Sequence, residues 1–195
     1  MSSTDDRWES FLNPEIVRGR LLSASMYITA HELLKDSIVD RVRDFYAESW
    51  NATGSHPGPE YQQEVLARNR SAVYASLDWL REHKAIGEED IKLFEAVKKT
   101  RNALAHGLHS VVIGGDTSDH VERFADVVSL LRKIETWWIV NVEIPSNPDY
   151  DGQEIDEAGI VPGPVLSLQM LIEVASGSTE LLTHYRNAPK PRREA

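Results

Sequence analysis

Residues 14–50 read PEIVRGRLLSASMYITAHELLKDSIVDRVRDFYAESW, and the apolar side chains of this stretch follow a helical repeat. They recur every three to five positions, at Leu22, Met26, Ala30, Leu33, Ile38, Val42 and Phe45. Such intervals place side chains on one face of an α-helix. At a rise of ~1.5 Å per residue, an unbroken helix here would be about 50 Å long. The sequence therefore predicts one long helix with a single apolar face.

Similar repeats follow at residues 71–83, 89–106 and about 117–142, which predict three more helices. Residues 60–70 either lead into the first of these or belong to it. A fifth helix is predicted from Val165 to Ala175, with an extension to Tyr185. The intervening residues 51–59 and 145–164 are rich in Gly and Pro, which is typical of loops. The predicted fold is all-α, an antiparallel four-helix bundle with an additional C-terminal helix and little or no sheet.

These patterns divide the chain into five parts. We expect a flexible N-terminal segment (residues 1–13), the helical bundle (14–143), a long loop (144–164), a C-terminal helix packing on the bundle (165–185) and a disordered basic tail (186–195). Gly107 follows the third helical repeat directly, and glycine is favoured just after a helix ends. The third helix is therefore predicted to end near His106.

The composition excludes several classes of function. The 195 residues include no cysteine, which rules out disulfides, thiolate catalysis, zinc–cysteine sites and iron–sulfur clusters. The N-terminus lacks a signal peptide, and no apolar run suggests a membrane span, so we expect a cytoplasmic protein without a membrane partner. A net charge of −10 argues against general DNA coating, because phosphate binding needs concentrated Lys and Arg. A small basic site on an otherwise acidic protein remains compatible with this net charge.

One short window, KKTRNALAHG at residues 98–107, combines groups that suit phosphodiester chemistry. On an ideal helix, Arg101, Asn102 and His106 fall within an arc of about 140°. Histidine can exchange a proton near neutral pH, and arginine can bind a phosphate through two hydrogen bonds. Asparagine can orient either group by hydrogen bonding. A cation, an amide and an imidazole in one patch are groups that cleavage of an RNA phosphodiester can use.

The string RNALAHG resembles the Arg-x4-6-His signature of the HEPN superfamily (higher eukaryote and prokaryote nucleotide-binding domains), in which a polar residue often follows Arg and Gly often follows His. This resemblance implies an HEPN-like bundle and a metal-independent endoribonuclease without a cofactor. In such an enzyme the RNA 2′-OH attacks the neighbouring phosphate and leaves a 2′,3′-cyclic phosphate. His106 would be the general acid or base, Arg101 would stabilise the phosphate, and Asn102 would support the geometry.

The resemblance also implies a homodimer in which two motifs share one cleft, in a toxin–antitoxin or anti-phage system with an antitoxin protein as partner. Lys98 and Lys99 would add positive charge for the RNA substrate, and Glu32 on the first helix would border the cleft. Some HEPN toxins carry a tyrosine two residues after the His, where this chain has Leu108. Regulation through that tyrosine is therefore not expected.

Three other interpretations stay open at the level of sequence. The chain could be a non-catalytic HEPN-like dimer that binds a partner protein or a nucleotide. It could also be an unrelated bundle in which Arg101 is solvated and His106 interacts with the helix dipole. Glu32 could be a surface charge that pairs with Lys35 or Arg41.

Overall fold

The computed structural model describes residues 4–114, 118–178 and 180–187, of which 77% are helical, and this confirms the all-α class. Within these residues there are eight helices and one two-stranded sheet. The elements are α1 (Thr4–Leu12), α2 (Pro14–Phe45), β1 (Ala47–Asn51), β2 (Gly54–Pro57), α3 (Ala72–Glu82), α4 (Glu88–Val112), α5 (Ser118–Glu122), α6 (Phe124–Trp138), α7 (Gly163–Ser176) and α8 (Glu180–Asn187).

The long helix α2 forms the centre of the fold and contacts α3, α4, α6 and α7. It starts sharply, because the Asn13 side chain accepts a hydrogen bond from the Glu15 backbone N–H at 3.0 Å and Pro14 occupies the first helical position. One face of α2 is fully buried, through Ala24, Tyr27, Ala30, Leu34, Ile38 and Val42. Ala30, Ile38 and Val42 of the predicted apolar face lie on this buried surface, whereas Leu22, Met26 and Leu33 are half-buried and Phe45 is exposed.

Large side chains from three other helices complete the core. Trp79 of α3 stacks on Trp138 of α6 with ring centroids 5.6 Å apart, and Phe94 of α4 is fully buried. Aromatic stacking of this kind adds to the free energy gained by burying the rings. The core therefore joins α2, α3, α4 and α6 in one cluster of buried residues.

The first predicted helix is too long by five residues, because the chain turns into a hairpin after Phe45. Strands β1 and β2 pair antiparallel around the turn at Asn51 to Gly54. Asn51 Oδ1 accepts a hydrogen bond from the Thr53 backbone N–H at 2.8 Å, and Gly54 adopts a φ of 116°. An Asx turn followed by a glycine with positive φ is a local signal for reversal, and it overrides the helical repeat here.

The prediction that the third helix ends at His106 is wrong, since α4 continues through Gly107 to Val112. Leu104 and Val111 are buried on the face of α4 that packs inward, so the apolar repeat continues past the glycine. Arg20 of α2 donates a hydrogen bond to the Val112 carbonyl at 3.2 Å and satisfies one of the last carbonyls of α4. Packing and this contact stabilise a helix end that the sequence does not signal.

Other boundaries also differ from the prediction. Residues 4–12 form the helix α1 within the segment predicted to be flexible. Residues Tyr61–Val65 form a π-helical turn and Leu66–Arg68 form a 3-10 turn. The predicted fourth helix is divided into α5 and α6 near Arg123. The predicted loop contains two short 3-10 turns, at Pro148–Tyr150 and Glu157–Gly159.

The predicted C-terminal helix is two helices, α7 and α8. Helix α7 ends before Gly177, whose φ of 86° only glycine adopts readily. Val165 and Leu168 bury one side of α7 in the core. Arg186 and Asn187, predicted to lie in the tail, belong to α8, and residues 188–195 lie outside the described part of the chain.

One stretch is more apolar than expected from the sequence. Glu157–Ser176 has a mean hydropathy of 1.5 and could cross a membrane by length and composition alone. Its continuous α-helix, α7, has 14 residues and is therefore about 21 Å long, against a hydrocarbon core of ~30 Å. This stretch is weak evidence for a membrane span.

Candidate functional site

Helix α4 carries the Arg101, Asn102 and His106 motif and runs antiparallel to α2. Arg20 near the start of α2 contacts Val112 at the end of α4, whereas Glu32, further along α2, contacts Arg101. Tyr27 on the buried face of α2 donates a hydrogen bond to the Val97 carbonyl at 3.0 Å, and burial raises the pKa of Tyr27 to about 12. These contacts fix the register of α4 on α2.

The buried face of α4 determines which of its side chains point outward. Phe94, Val97, Thr100 and Leu104 are buried, and Thr100 Oγ1 donates to Asp119 Oδ2 of α5 at 2.5 Å. The opposite side of the helix is exposed and carries Glu95, Lys99, Asn102 and His106. The motif therefore lies on the solvent side of α4.

Arg101 occupies the edge between these two faces. Its guanidinium donates to Glu32 Oε1 at 2.8 Å through Nη2, and to Asn102 Oδ1 at 3.5 Å through Nη1. The side chain is 34% exposed, and its buried Nε has no hydrogen-bond partner among the described residues. Arg101 thus combines a fixed resting position with one side that a ligand can reach.

Glu32 joins two cations of the site. Its Oε1 accepts from Arg101, and its Oε2 accepts from Lys35 at 2.9 Å. The hydrogen bonds from Lys35 and then from Arg101 lower the pKa of Glu32 to about 2, although burial acts against them. Glu32 is therefore a carboxylate at every pH near neutrality and cannot serve as a proton donor there. The predicted pairing with Lys35 is present, and the bond to Arg101 accompanies it.

Lys98 and Lys99 lie one turn before Asn102, and all three line a shallow cavity of about 510 Å³ together with Glu95. Lys98 donates to the Tyr74 hydroxyl at 2.7 Å and lies 4.6 Å from the centre of the Tyr74 ring. This hydrogen bond raises the pKa of Lys98. Lys99 is exposed. The two lysines are thus near Asn102, but Tyr74 already engages one of them.

His106 is exposed on α4, five residues after Arg101, which corresponds to about 7.5 Å along the helix axis. The hydrogen bonds of Arg101 among the described residues go to Glu32 and Asn102 rather than to the imidazole. Within one chain, the structure therefore brings Arg101, Asn102 and Glu32 into contact and leaves His106 facing solvent.

His31, to which the sequence pattern assigns no role, lies beside this group. Its Nδ1 is 3.4 Å from Glu32 Oε1, and its ring stacks on Phe94 with centroids 6.3 Å apart. Burial lowers the pKa of His31. Its spacing indicates that it is buried, since His31 follows Tyr27 by four residues and so lies on the buried face of α2.

Across residues 4–114, 118–178 and 180–187, no group of three or more His, Asp or Glu side chains is arranged to hold a metal ion. Comparisons of the chain with family models, with curated proteins and with solved structures find no match.

Proposed function

We propose that this chain is a cytoplasmic, metal-independent endoribonuclease of the HEPN type that cleaves single-stranded RNA, in a toxin–antitoxin or anti-phage system. The observation that carries the proposal is the exposed polar edge of α4, where Arg101, Asn102 and His106 lie within two helical turns. A cation, an amide and an imidazole on one accessible helix face are sufficient to bind a phosphate and move a proton.

In the proposed reaction, the RNA 2′ oxygen attacks the adjacent phosphorus and loses its proton to a base. The bond from phosphorus to the 5′ oxygen breaks, that oxygen receives a proton from an acid, and a 2′,3′-cyclic phosphate remains. His106 acts as the acid or the base. Arg101 stabilises the negative charge that develops on the phosphate oxygens, and Asn102 orients the bound group.

A homodimer supplies the second proton-transfer group. One chain contributes a single His106, whereas the reaction needs both an acid and a base. The exposed stripe of Glu95, Lys99, Asn102 and His106 can meet its own copy across a two-fold axis, because an isologous contact pairs one surface with itself. Both copies of the motif would then face one cleft, and Lys98 and Lys99 would border the bound RNA.

A second function, an HEPN-like dimer that binds a nucleotide or a partner protein without cleavage, is favoured by one observation. The Arg101 guanidinium is already paired with Glu32, which partly neutralises the cation. In this alternative the ion pair is structural. An antitoxin protein that covers the α4 surface would be compatible with either function.

RNA cleavage in the presence of EDTA tests the proposal. We expect the full-length chain to cut a 5′-labelled single-stranded RNA and to leave a 2′,3′-cyclic phosphate. Arg101→Ala and His106→Ala should each lose at least ~100-fold in rate, because acid–base catalysis commonly contributes 10²–10⁴-fold. His109→Ala, which removes an exposed histidine of the same helix, is the matched control. Equal rates for all four proteins would exclude the nuclease, and a wild type that binds RNA without cutting it would favour the second function.

A further inference from the structure

His31 is a buried imidazole next to the Arg101–Glu32 ion pair. It is 5% exposed, and neither of its ring nitrogens has a hydrogen-bond partner among the described residues. Buried polar groups in folded proteins are almost always hydrogen-bonded. A buried imidazole without a hydrogen-bond partner lowers the stability of the fold, so its position beside a candidate phosphate-binding arginine calls for an explanation.

The position of His31 suggests that reason. Glu32 Oε1 lies 2.8 Å from Arg101 Nη2 and 3.4 Å from His31 Nδ1, so both side chains converge on one oxygen atom. The other carboxylate oxygen of Glu32, Oε2, accepts a hydrogen bond from Lys35 at 2.9 Å. If Arg101 leaves, His31 is the side chain placed to occupy the vacated position.

We propose that His31 is a positioning residue that exchanges with Arg101 at Glu32. When an RNA phosphate draws the guanidinium away from Glu32, His31 takes up a proton from solvent and donates its Nδ1–H to the oxygen that Arg101 has left. This inference rests on the proposed function, because it assigns a nucleic-acid phosphate as the ligand of Arg101.

The electrostatic environment of His31 agrees with this exchange. Burial is the main cause that lowers the pKa of His31, the neighbouring Glu32 raises it, and Arg101 and Lys35 lower it. Two of these charged groups, Glu32 and Lys35, lie on α2 and the third, Arg101, lies on α4. When Arg101 moves from Glu32 to a phosphate, one of the two cations that oppose protonation of His31 is neutralised. Glu32 then loses one of its two hydrogen-bond donors. Both changes favour the protonated ring.

The exchange couples phosphate binding to proton uptake. Because the bound state holds one proton more than the free state, lower pH must favour binding, and binding must raise the pKa of His31. His31 then acts as a replacement counter-ion that limits the cost of separating Arg101 from Glu32.

The binding test uses the full-length chain with His106→Ala, which removes the other imidazole of the site, and a single-stranded 2′-O-methyl RNA, which lacks the attacking hydroxyl. We expect this protein to bind the oligonucleotide roughly tenfold more tightly at pH 5.5 than at pH 7.5, since one unit of pKa corresponds to a factor of ten. The additional substitution His31→Phe should abolish the dependence, whereas His109→Ala should retain it. A pH dependence that survives His31→Phe would overturn the proposal.

A second measurement needs no ligand. In the wild-type chain, NMR should show the Arg101 side-chain N–H signal shifting along the same titration curve as the His31 ring, and Glu32→Gln should remove this coupling. An Arg101 signal that stays unchanged while His31 titrates would also overturn the proposal. If the oligonucleotide does not bind at all, the proposed function fails, and the ligand-free titration still decides whether His31 and Arg101 compete for Glu32.

Discussion

Arg101 Nη2 lies 2.8 Å from Glu32 Oε1, so the cation of the candidate site rests in an ion pair between α4 and α2. Both side chains are about one-third exposed, and ion pairs with such access to water contribute only ~0–1 kcal/mol. A phosphate can accept two parallel hydrogen bonds from the guanidinium, whereas Glu32 Oε1 accepts one. Exchange of the carboxylate for a phosphate is therefore energetically accessible.

Glu32→Gln should increase the affinity for single-stranded RNA, because the substrate no longer competes with a carboxylate for Arg101. An exposed pair of ~0.5–1 kcal/mol corresponds to about 2- to 5-fold tighter binding. Titration of the 2′-O-methyl oligonucleotide at pH 7.5 measures this. Glu89→Gln is the control, since Glu89 pairs with Lys92 on an exposed part of α4. Weaker binding by Glu32→Gln would indicate that Glu32 holds Arg101 in its binding geometry instead.

Lys99→Ala should weaken RNA binding more than Lys98→Ala does. Both lysines line the cavity beside Asn102, but the Lys98 ammonium is already bound to the Tyr74 hydroxyl. Each phosphate contact that is lost should reduce the slope of log affinity against log salt by about 0.7 for a single strand. Lys92→Ala, which removes a lysine paired with Glu89, should leave the slope unchanged. An unchanged slope in Lys99→Ala would place the RNA elsewhere.

Helical periodicity predicts where the long helices lie, because burial on α2 repeats at Tyr27, Leu34, Ile38 and Val42 as a 3.6-residue period requires. It does not predict where they end. The helix predicted from this repeat extends to Trp50, yet Trp50 is exposed in β1. Here the Asx turn at Asn51 decides the conformation through local hydrogen bonds, which cannot be read from hydrophobic spacing.

Gly107→Ala should stabilise the protein, because this glycine lies inside α4 and a Cβ atom there meets no other atom within 4 Å. Replacing glycine by alanine within a helix gains ~0.5–1 kcal/mol. The same change at Gly177, where φ is 86°, should destabilise the protein. Urea unfolding of both variants gives the comparison. A destabilised Gly107→Ala would indicate that α4 ends near Gly107 after all.

Helical spacing predicts the part of the site whose residues are close in sequence, and only the resemblance adds Glu32 to it. Arg101, Asn102 and His106 share one edge of a helix because their spacing requires it. The contact between Arg101 and Glu32 joins residues 69 positions apart, and it depends on the register of α4 against α2. Tyr27 sets that register through the Val97 carbonyl, which no local pattern specifies. Spacing places His31 on the buried face of α2, but its approach to Glu32 and Arg101 depends on the same register.

The folded protein should lose stability as the pH falls from 7 to 5. Burial lowers the pKa values of His31 and His120 below the ordinary 6.5. Below about pH 6.5 these rings take up protons in the unfolded chain but stay neutral in the folded one, so acid favours unfolding until the folded pKa values are reached. Urea unfolding at both pH values should show a smaller loss in His31→Phe, while His109→Ala should behave as wild type. An equal loss in all three proteins would exclude His31 as a source of the acid sensitivity.

Arg41→Ala should destabilise the fold by about 1–3 kcal/mol, because it leaves the buried Glu135 carboxylate without the cation that donates to it, while the Arg41 side chain itself is 36% exposed. Glu135 of α6 is 1% exposed, and its carboxylate accepts hydrogen bonds from Arg41 at 2.6 Å and from Ser37 at 2.5 Å. Urea unfolding measures the loss.

The double variant Arg41→Ala with Glu135→Leu should recover most of that stability, since replacing a buried ion pair by apolar packing is often neutral or better. Arg18→Ala breaks an exposed pair with Glu15 and should cost less than ~1 kcal/mol. If Arg41→Ala costs no more than Arg18→Ala, water must reach Glu135 once the guanidinium is gone. The contact between α2 and α6 would then owe its stability to the surrounding apolar side chains rather than to this polar bridge.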